Sequence, residues 1–165
     1  MIVAVNGKGD FMYNNFQRNR HRDFNCSCAK SMTDFGPEPF VVNIEKAACD
    51  NTNFRSALWT GDKLQLTLMS IPKDGEIGVE VHKDTDQFLR IESGRGIVKM
   101  GSCKDRMNFH KYIGAGDAVF VPAGTWHNII NTGDCPIKLY SIYAPPKHPH
   151  STVHMTKEIA EAEGD

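Results

Sequence analysis

His127 is the residue in this chain whose neighbours best equip it to do chemistry. It closes the run Gly116-Asp-Ala-Val-Phe-Val-Pro122-Ala-Gly124-Thr-Trp-His127, which continues as Asn128-Ile-Ile-Asn131. The small and apolar residues of Ala118–Val121 suit a β-strand, Pro122 and Gly124 end it and redirect the backbone, and His127 opens the next strand. An imidazole held at a strand start behind a stiff turn can present a nitrogen to a metal ion.

The pattern Gly-x5-Pro-x-Gly-x2-His-x3-Asn, carried by Gly116, Pro122, Gly124, His127 and Asn131, resembles the second motif of the cupin superfamily at every specified position. Upstream, Gly75-Glu-Ile-Gly-Val-Glu80-Val-His82-Lys-Asp-Thr-Asp-Gln87-Phe-Leu-Arg-Ile-Glu-Ser-Gly94 is similar to the first motif. There the family pattern has two histidines one residue apart, a glutamate after a short gap, and a glycine six residues further on. Counting back from Gly94 puts Gln87 at the glutamate position, His82 at the second histidine and Glu80 at the first, with the leading glycine one place out of step. The resemblance therefore implies a metal-ligand set of Glu80, His82, Gln87 and His127. It also implies an all-β fold, the double-stranded β-helix or cupin jelly-roll barrel.

Strand geometry is compatible with that set, because residues two apart project from one face and Glu80 and His82 then point together. Lys83–Asp86 reads as the turn of a hairpin that brings Gln87 back beside them. The same residues also fit a plainer description: Glu80 and Gln87 as polar side chains on a half-solvated sheet, and His82 as a histidine near a turn.

Two imidazoles, one carboxylate and one carboxamide make a mixed nitrogen and oxygen site without thiolate, which suits manganese, iron, nickel or zinc as the divalent ion. Neutral Gln87 in place of the usual glutamate leaves one formal negative charge among the ligands, so the loaded site stays positive and favours an anionic or oxygen-rich ligand. By resemblance to the small single-domain cupins called mannose-6-phosphate-isomerase-like, the expected function is a sugar or sugar-phosphate isomerase, with Glu80 as the catalytic residue that moves a proton. An Fe(II)-dependent dioxygenase and a non-catalytic small-molecule binding module are the alternatives.

Elements able to position these residues recur along the chain. Strand-like runs fall at Phe40–Ile44, Leu64–Met69, Ile77–His82, Gln87–Ile91, Gly96–Met100, Ala118–Val121, His127–Ile130 and Ile137–Tyr143, mostly separated by glycine, proline or charged turns. Many short strands at such intervals favour a sandwich or jelly roll. The expected organisation is an N-terminal arm over residues 1–38, one cupin domain over 39–146, and a C-terminal tail over 147–165. The tail carries His148, His150 and His154 among prolines and is expected to be extended, its histidines solvated or at an interface, with a short helix from Lys157 to Glu163.

At 165 residues and 40% hydrophobic content, one globular domain is expected. A net charge of −1 offers no footprint for nucleic acid, and the one basic cluster, Arg18–Arg22, is short. No apolar run approaches the roughly 18 residues of a membrane span or forms a signal-peptide core, so a cytoplasmic location is expected. The five cysteines, at positions 26, 28, 49, 103 and 135, form no Cys-x-x-Cys pair and are expected to be reduced. His21, Cys26 and Cys28 lack a fourth ligand for a second metal site. The expected partners are a small-molecule ligand or substrate and a second copy of the chain, since a sheet of this size has edges that an arm could cover in a homodimer.

Overall fold

The computed structural model describes residues 33–164; the N-terminal arm up to residue 32, with Arg18–Arg22, His21, Cys26 and Cys28, lies outside the described residues. In chain order the elements are α1 (Ile44–Asp50), β1 (Arg55–Thr60), β2 (Gln65–Ile71), β3 (Asp86–Ser93), β4 (Arg95–Gly101), β5 (Phe109–Gly114), β6 (Ala118–Val121), β7 (Trp126–Asn131), β8 (Ile137–Ala144), β9 (Val153–His154) and α2 (Lys157–Ala162). They form a six-stranded sheet ordered β6-β3-β8-β2-β1-β9 and a three-stranded sheet ordered β5-β4-β7, and every pairing is antiparallel. One core cluster takes side chains from both sheets, which is the double-stranded β-helix of the expected all-β class.

Alternation along the strands decides what faces inward. Met69, Ile71, Leu89, Ile91 and Leu139 are at most 1% exposed and pack with Val98, Ile113 and Ile129 of the small sheet. Each such side chain contributes about 1.5–3 kcal/mol of burial, so the barrel has an apolar source of stability that needs no ion. Continuing the same faces by two residues brings up Thr67, Gln87 and Ser141, and beyond them Gln65 and Tyr143, all buried. The interior is thus split lengthwise, one half aliphatic and the other polar.

Two expected strands take other forms. Phe40–Ile44 is not a strand, because the Asn43 side chain accepts the Lys46 N–H at 3.0 Å and caps a helix that starts at Ile44. The β-branched run has no partner strand among the described residues, and Val41 stays 96% exposed. α1 instead lays Ile44, Ala47 and Ala48 over Leu58 and Leu68 on the outer face of the large sheet. The side chain of Asn43 satisfies one of the orphan N–H groups of a seven-residue helix, so Asn43→Ala should lower the unfolding free energy by about 1 kcal/mol. A urea midpoint unchanged from the parent protein would show that the cap contributes nothing.

The expected strand Ile77–His82 does not form; among the described residues this stretch and the adjoining Glu76 pair through isolated bridges, Glu76 to Ile130 and Glu80 to His127. Gly78, with φ of 108°, breaks the extended backbone between them. The expected hairpin is also absent: β3 pairs with β6 and β8, while the Glu80 segment pairs with β7.

Strands β1, β5 and β9 were not expected, and β9 adds a short edge beside β1 from within the tail. Residues 34–36 are tied to the sheet as well, with Asp34 accepting from the Thr60 hydroxyl at 2.6 Å and Phe35 N–H donating to the Leu58 carbonyl at 2.9 Å.

Candidate metal centre

Glu80 and His127 exchange both backbone hydrogen bonds, Glu80 N–H to the His127 carbonyl at 3.0 Å and His127 N–H to the Glu80 carbonyl at 2.9 Å. Residues paired this way point their side chains the same way. His82, two places on from Glu80, is held by the turn the motif supplies: Gly124 N–H, at φ of 77°, donates to the His82 carbonyl at 2.7 Å. The result is that Glu80 Oε1 lies 3.1 Å from His127 Nε2 and 3.4 Å from His82 Nε2. Metal bonds of about 2.0–2.2 Å at tetrahedral or octahedral angles place neighbouring donor atoms roughly 2.9–3.5 Å apart, so these separations fit a shared divalent ion.

The tautomer sharpens the point. His127 Nδ1 is 3.0 Å from the Thr125 carbonyl, which can only accept, so Nδ1 carries a proton. In the neutral ring Nε2 is then a lone pair facing a carboxylate oxygen, a contact that a proton on Nε2 or a cation between the two atoms turns favourable. A backbone carbonyl fixing the far nitrogen is also how ligating histidines are commonly oriented. His82 is buried, and neither ring nitrogen makes a hydrogen bond among the described residues. Burial alone would push the Glu80 carboxyl up, but the two imidazoles against it, His127 before His82, and the charge of Arg55 outweigh it and hold the carboxylate well below its usual range. Among the described residues this is the one group of histidine, cysteine and acidic donors that converges.

Gln87 is not part of that contact group. Its Nε2 donates to the Ser141 hydroxyl at 2.9 Å, and its Oε1 is buried without a hydrogen-bond partner. It sits opposite Tyr143 in the β3–β8 register, and the Tyr143 ring meets His82 edge-on at 5.6 Å. Cys49, Cys103 and Cys135 are free and exposed, and none is among the converging donors.

The motif asparagine has a structural role. Asn131 Nδ2 donates to the carbonyls of Ile71, Pro72 and Cys135, and its Oδ1 accepts from Gly133 N–H. Asn128 secures the Glu80 segment, accepting from Gly78 N–H at 3.0 Å and donating to Glu76 at 2.9 Å.

The tail departs from expectation. His148 and His154 are buried; only His150 keeps a half-exposed ring. Gln65 draws the tail in, its Nε2 donating to the His148 carbonyl and its Oε1 accepting His148 N–H, both at 2.9 Å. The His148 ring packs edge-on against Tyr143 at 5.0 Å. Proline spacing does not reveal that a buried glutamine on β2 waits for this backbone.

Burial, with the Arg55 charge nearby, pulls the His148 pKa from 6.5 down to about 3. The folded state therefore resists a proton that the unfolded chain accepts, and stability falls as pH drops from about 6.5 towards about 3. Between pH 6.5 and 5.5 that linkage amounts to roughly 1 kcal/mol. His148→Gln should flatten this part of the curve of unfolding free energy against pH. An identical slope in both proteins would exclude His148 as the cause.

Arg55 and Tyr143 also escaped the sequence reading. Arg55 lies on a strand that carries no alternating pattern, and Tyr143 looks like any aromatic on an apolar strand. Both side chains are buried, Arg55 at 1% exposure. A cavity of about 100 Å³ bounded by Arg55, Glu80 and Lys157 opens beside the triad. A larger one of about 570 Å³, between Phe54, Lys138 and Lys157, contains none of the three donors, so donor geometry rather than volume locates the centre.

Residues 67–143 match the cupin domain family model. Over 134 residues the chain is 59% identical to the uncharacterized protein YrkC of Bacillus subtilis, covering 81% of this chain and 72% of that protein. The crystal structure of BH2720 from Bacillus halodurans is similar at 59% identity and a TM-score of 0.78, over 79% of this chain and 98% of that one. A Klebsiella pneumoniae protein with a double-stranded β-helix domain shares the fold at 19% identity and a TM-score of 0.52, over 65% of this chain and 88% of its own. With the cupin domain model matched over residues 67–143, and with a relative this similar over most of both chains, the protein belongs to the cupin superfamily.

Proposed function

We propose that this cupin is a divalent-metal-dependent enzyme acting on a small oxygen-rich molecule, of the sugar or sugar-phosphate isomerase type, with Glu80, His82, Gln87 and His127 holding the ion. The observation that carries the reading is a single carboxylate oxygen, Glu80 Oε1, flanked at 3.1 and 3.4 Å by two imidazole Nε2 atoms. A bound divalent ion would supply Lewis acidity to a carbonyl or hydroxyl oxygen of the ligand. The chain supplies the rest. Glu80 keeps its charge and so serves as ligand, a weak base by virtue of its lowered pKa. Tyr143, pushed up by burial, keeps a proton at its hydroxyl facing the interior. Ser141 orients the Gln87 amide, whose bare oxygen is the fourth ligand in this reading.

The test is proton exchange. Protein loaded in turn with manganese, iron, nickel or zinc is incubated in deuterated water with hydroxyaldehydes and hydroxyketones of three to six carbons. Deuterium is then followed by NMR at the carbon next to the carbonyl. Exchange that needs both metal and His127 supports the isomerase reading. Metal-restored oxygen consumption without exchange would replace it with a dioxygenase, and stoichiometric binding without turnover would replace it with a binding module.

A further inference from the structure

The large sheet borders a cavity that the metal centre does not use. Ser70 and Lys138 are direct cross-strand partners on β2 and β8, each flanked by the inward residues Met69, Ile71, Ile137 and Leu139, so both side chains rise from the outer face. Phe54 and Met155 are held together beside them, Phe54 N–H donating to the Met155 carbonyl at 3.2 Å, while Pro72 follows β2 and Pro136 precedes β8. These six residues line a cavity of about 570 Å³, inside the range of about 300–1,000 Å³ that small molecules fill.

The lining joins apolar walls to one cation without a counter-charge. Lys138 Nζ donates to the Asn51 carbonyl, which leaves two of its three N–H groups. Among the described residues no carboxylate lies within ion-pair distance of it, and Asp50, next to Asn51, pairs with Lys46 at 2.6 Å. Burial pulls the Lys138 pKa below the usual lysine value, so the ammonium is short of water as well. The Ser70 hydroxyl makes no hydrogen bond among the described residues and adds a second donor on the same face. Of the other charges at the cavity, Lys157 holds Glu76 at 3.1 Å and Glu158 is exposed. One unpaired ammonium near an acidic residue suits a monoanion and disfavours a dianion such as a phosphate monoester. Pro72, Pro136 and Met155, the last 65% exposed, offer apolar surface that an apolar body would cover.

We propose that this cavity binds a small amphipathic carboxylate, its head at Lys138 and Ser70 and its aliphatic or aromatic body against Phe54, Pro72, Pro136 and Met155. The site goes beyond the isomerase reading and stands without it, since none of Glu80, His82 and His127 lines the cavity.

The probes are hexanoate, hexanamide and acetate, titrated into chelator-treated, isotope-labelled full-length protein and followed by amide NMR shifts. Hexanoate should bind at least fivefold more tightly than hexanamide, which lacks the charge, and than acetate, which lacks the apolar body. Lys138→Met should remove the preference over hexanamide. Met155→Asp, which places a carboxylate at the wall, should weaken hexanoate at least fivefold, and His127→Ala should leave both affinities unchanged. Equal affinity for hexanoate and hexanamide, or parental hexanoate affinity in Lys138→Met, would overturn the site. Loss of hexanoate binding in His127→Ala would overturn it too, by moving the acid to the metal centre. Lys138→Met also deletes a hydrogen bond at the end of α1; if that variant does not fold, Met155→Asp decides alone, and parental hexanoate affinity there overturns the proposal.

Discussion

His127→Ala is expected to lower divalent-metal affinity at least a hundredfold while leaving the barrel folded. Partners that merely orient a ligand are worth about 10–100-fold in affinity, and the Thr125 carbonyl already takes that part here; removing the ligand itself must cost more. The fold should survive because the aliphatic half of the interior, Met69 to Leu139, makes its contacts without the ion. Metal content by plasma mass spectrometry, with circular dichroism on the same samples, reads both halves of the expectation. His148→Gln is the matched control: another buried histidine is lost, one that packs on the Tyr143 ring and lies outside the converging donors, so metal should stay. Retention of one ion per chain by His127→Ala, or equal losses in the two variants, would remove the centre from this end of the barrel.

Which features could be read from the sequence depended on whether the signal was local. The Gly116–Asn131 segment was legible to the residue, since each position solves a local problem: the positive φ of Gly116 and Gly124, the stop at Pro122, the bracing of a turn by Asn131. Strands with alternating burial, such as β3 and β8, were legible for the same reason. Phe40–Ile44 misled because β-branched composition outweighed a cap that depends on one side chain, Asn43. The Glu80 segment misled differently. Its partner was expected to be the next strand in sequence, but the barrel supplied β7, some 47 residues on, and so joined Glu80 to His127 rather than to Gln87. The short helix expected from Lys157 is present as α2, but the burial of Arg55, Tyr143 and His148 was illegible because their environment is made by distant strands: Gln65 fixes His148 across a separation of 83 residues.

Gln87 is the proposed ligand whose position was inferred from a family pattern and whose contacts within the barrel lead to Ser141, and a single substitution separates the two descriptions. Gln87→Glu keeps the shape of the side chain and exchanges an amide for a carboxylate at a buried position whose oxygen has no hydrogen-bond partner. If that oxygen faces the ion, the added charge should tighten binding at least tenfold, about 1.4 kcal/mol, since interactions with a charged group exceed those with a neutral one by at least that order. The metal-free protein should respond with the opposite sign. The introduced carboxylate then sits buried near Glu80 with no cation between them, the Ser141 hydroxyl must turn to donate to it, and the urea midpoint should fall. Titration calorimetry and urea denaturation, each with and without metal, give the pair of signs. Tighter binding together with a weaker metal-free fold places Gln87 in the coordination shell. Unchanged affinity with the same destabilisation reduces the centre to Glu80, His82 and His127, the facial two-histidine, one-carboxylate set that leaves more of the metal open to substrate.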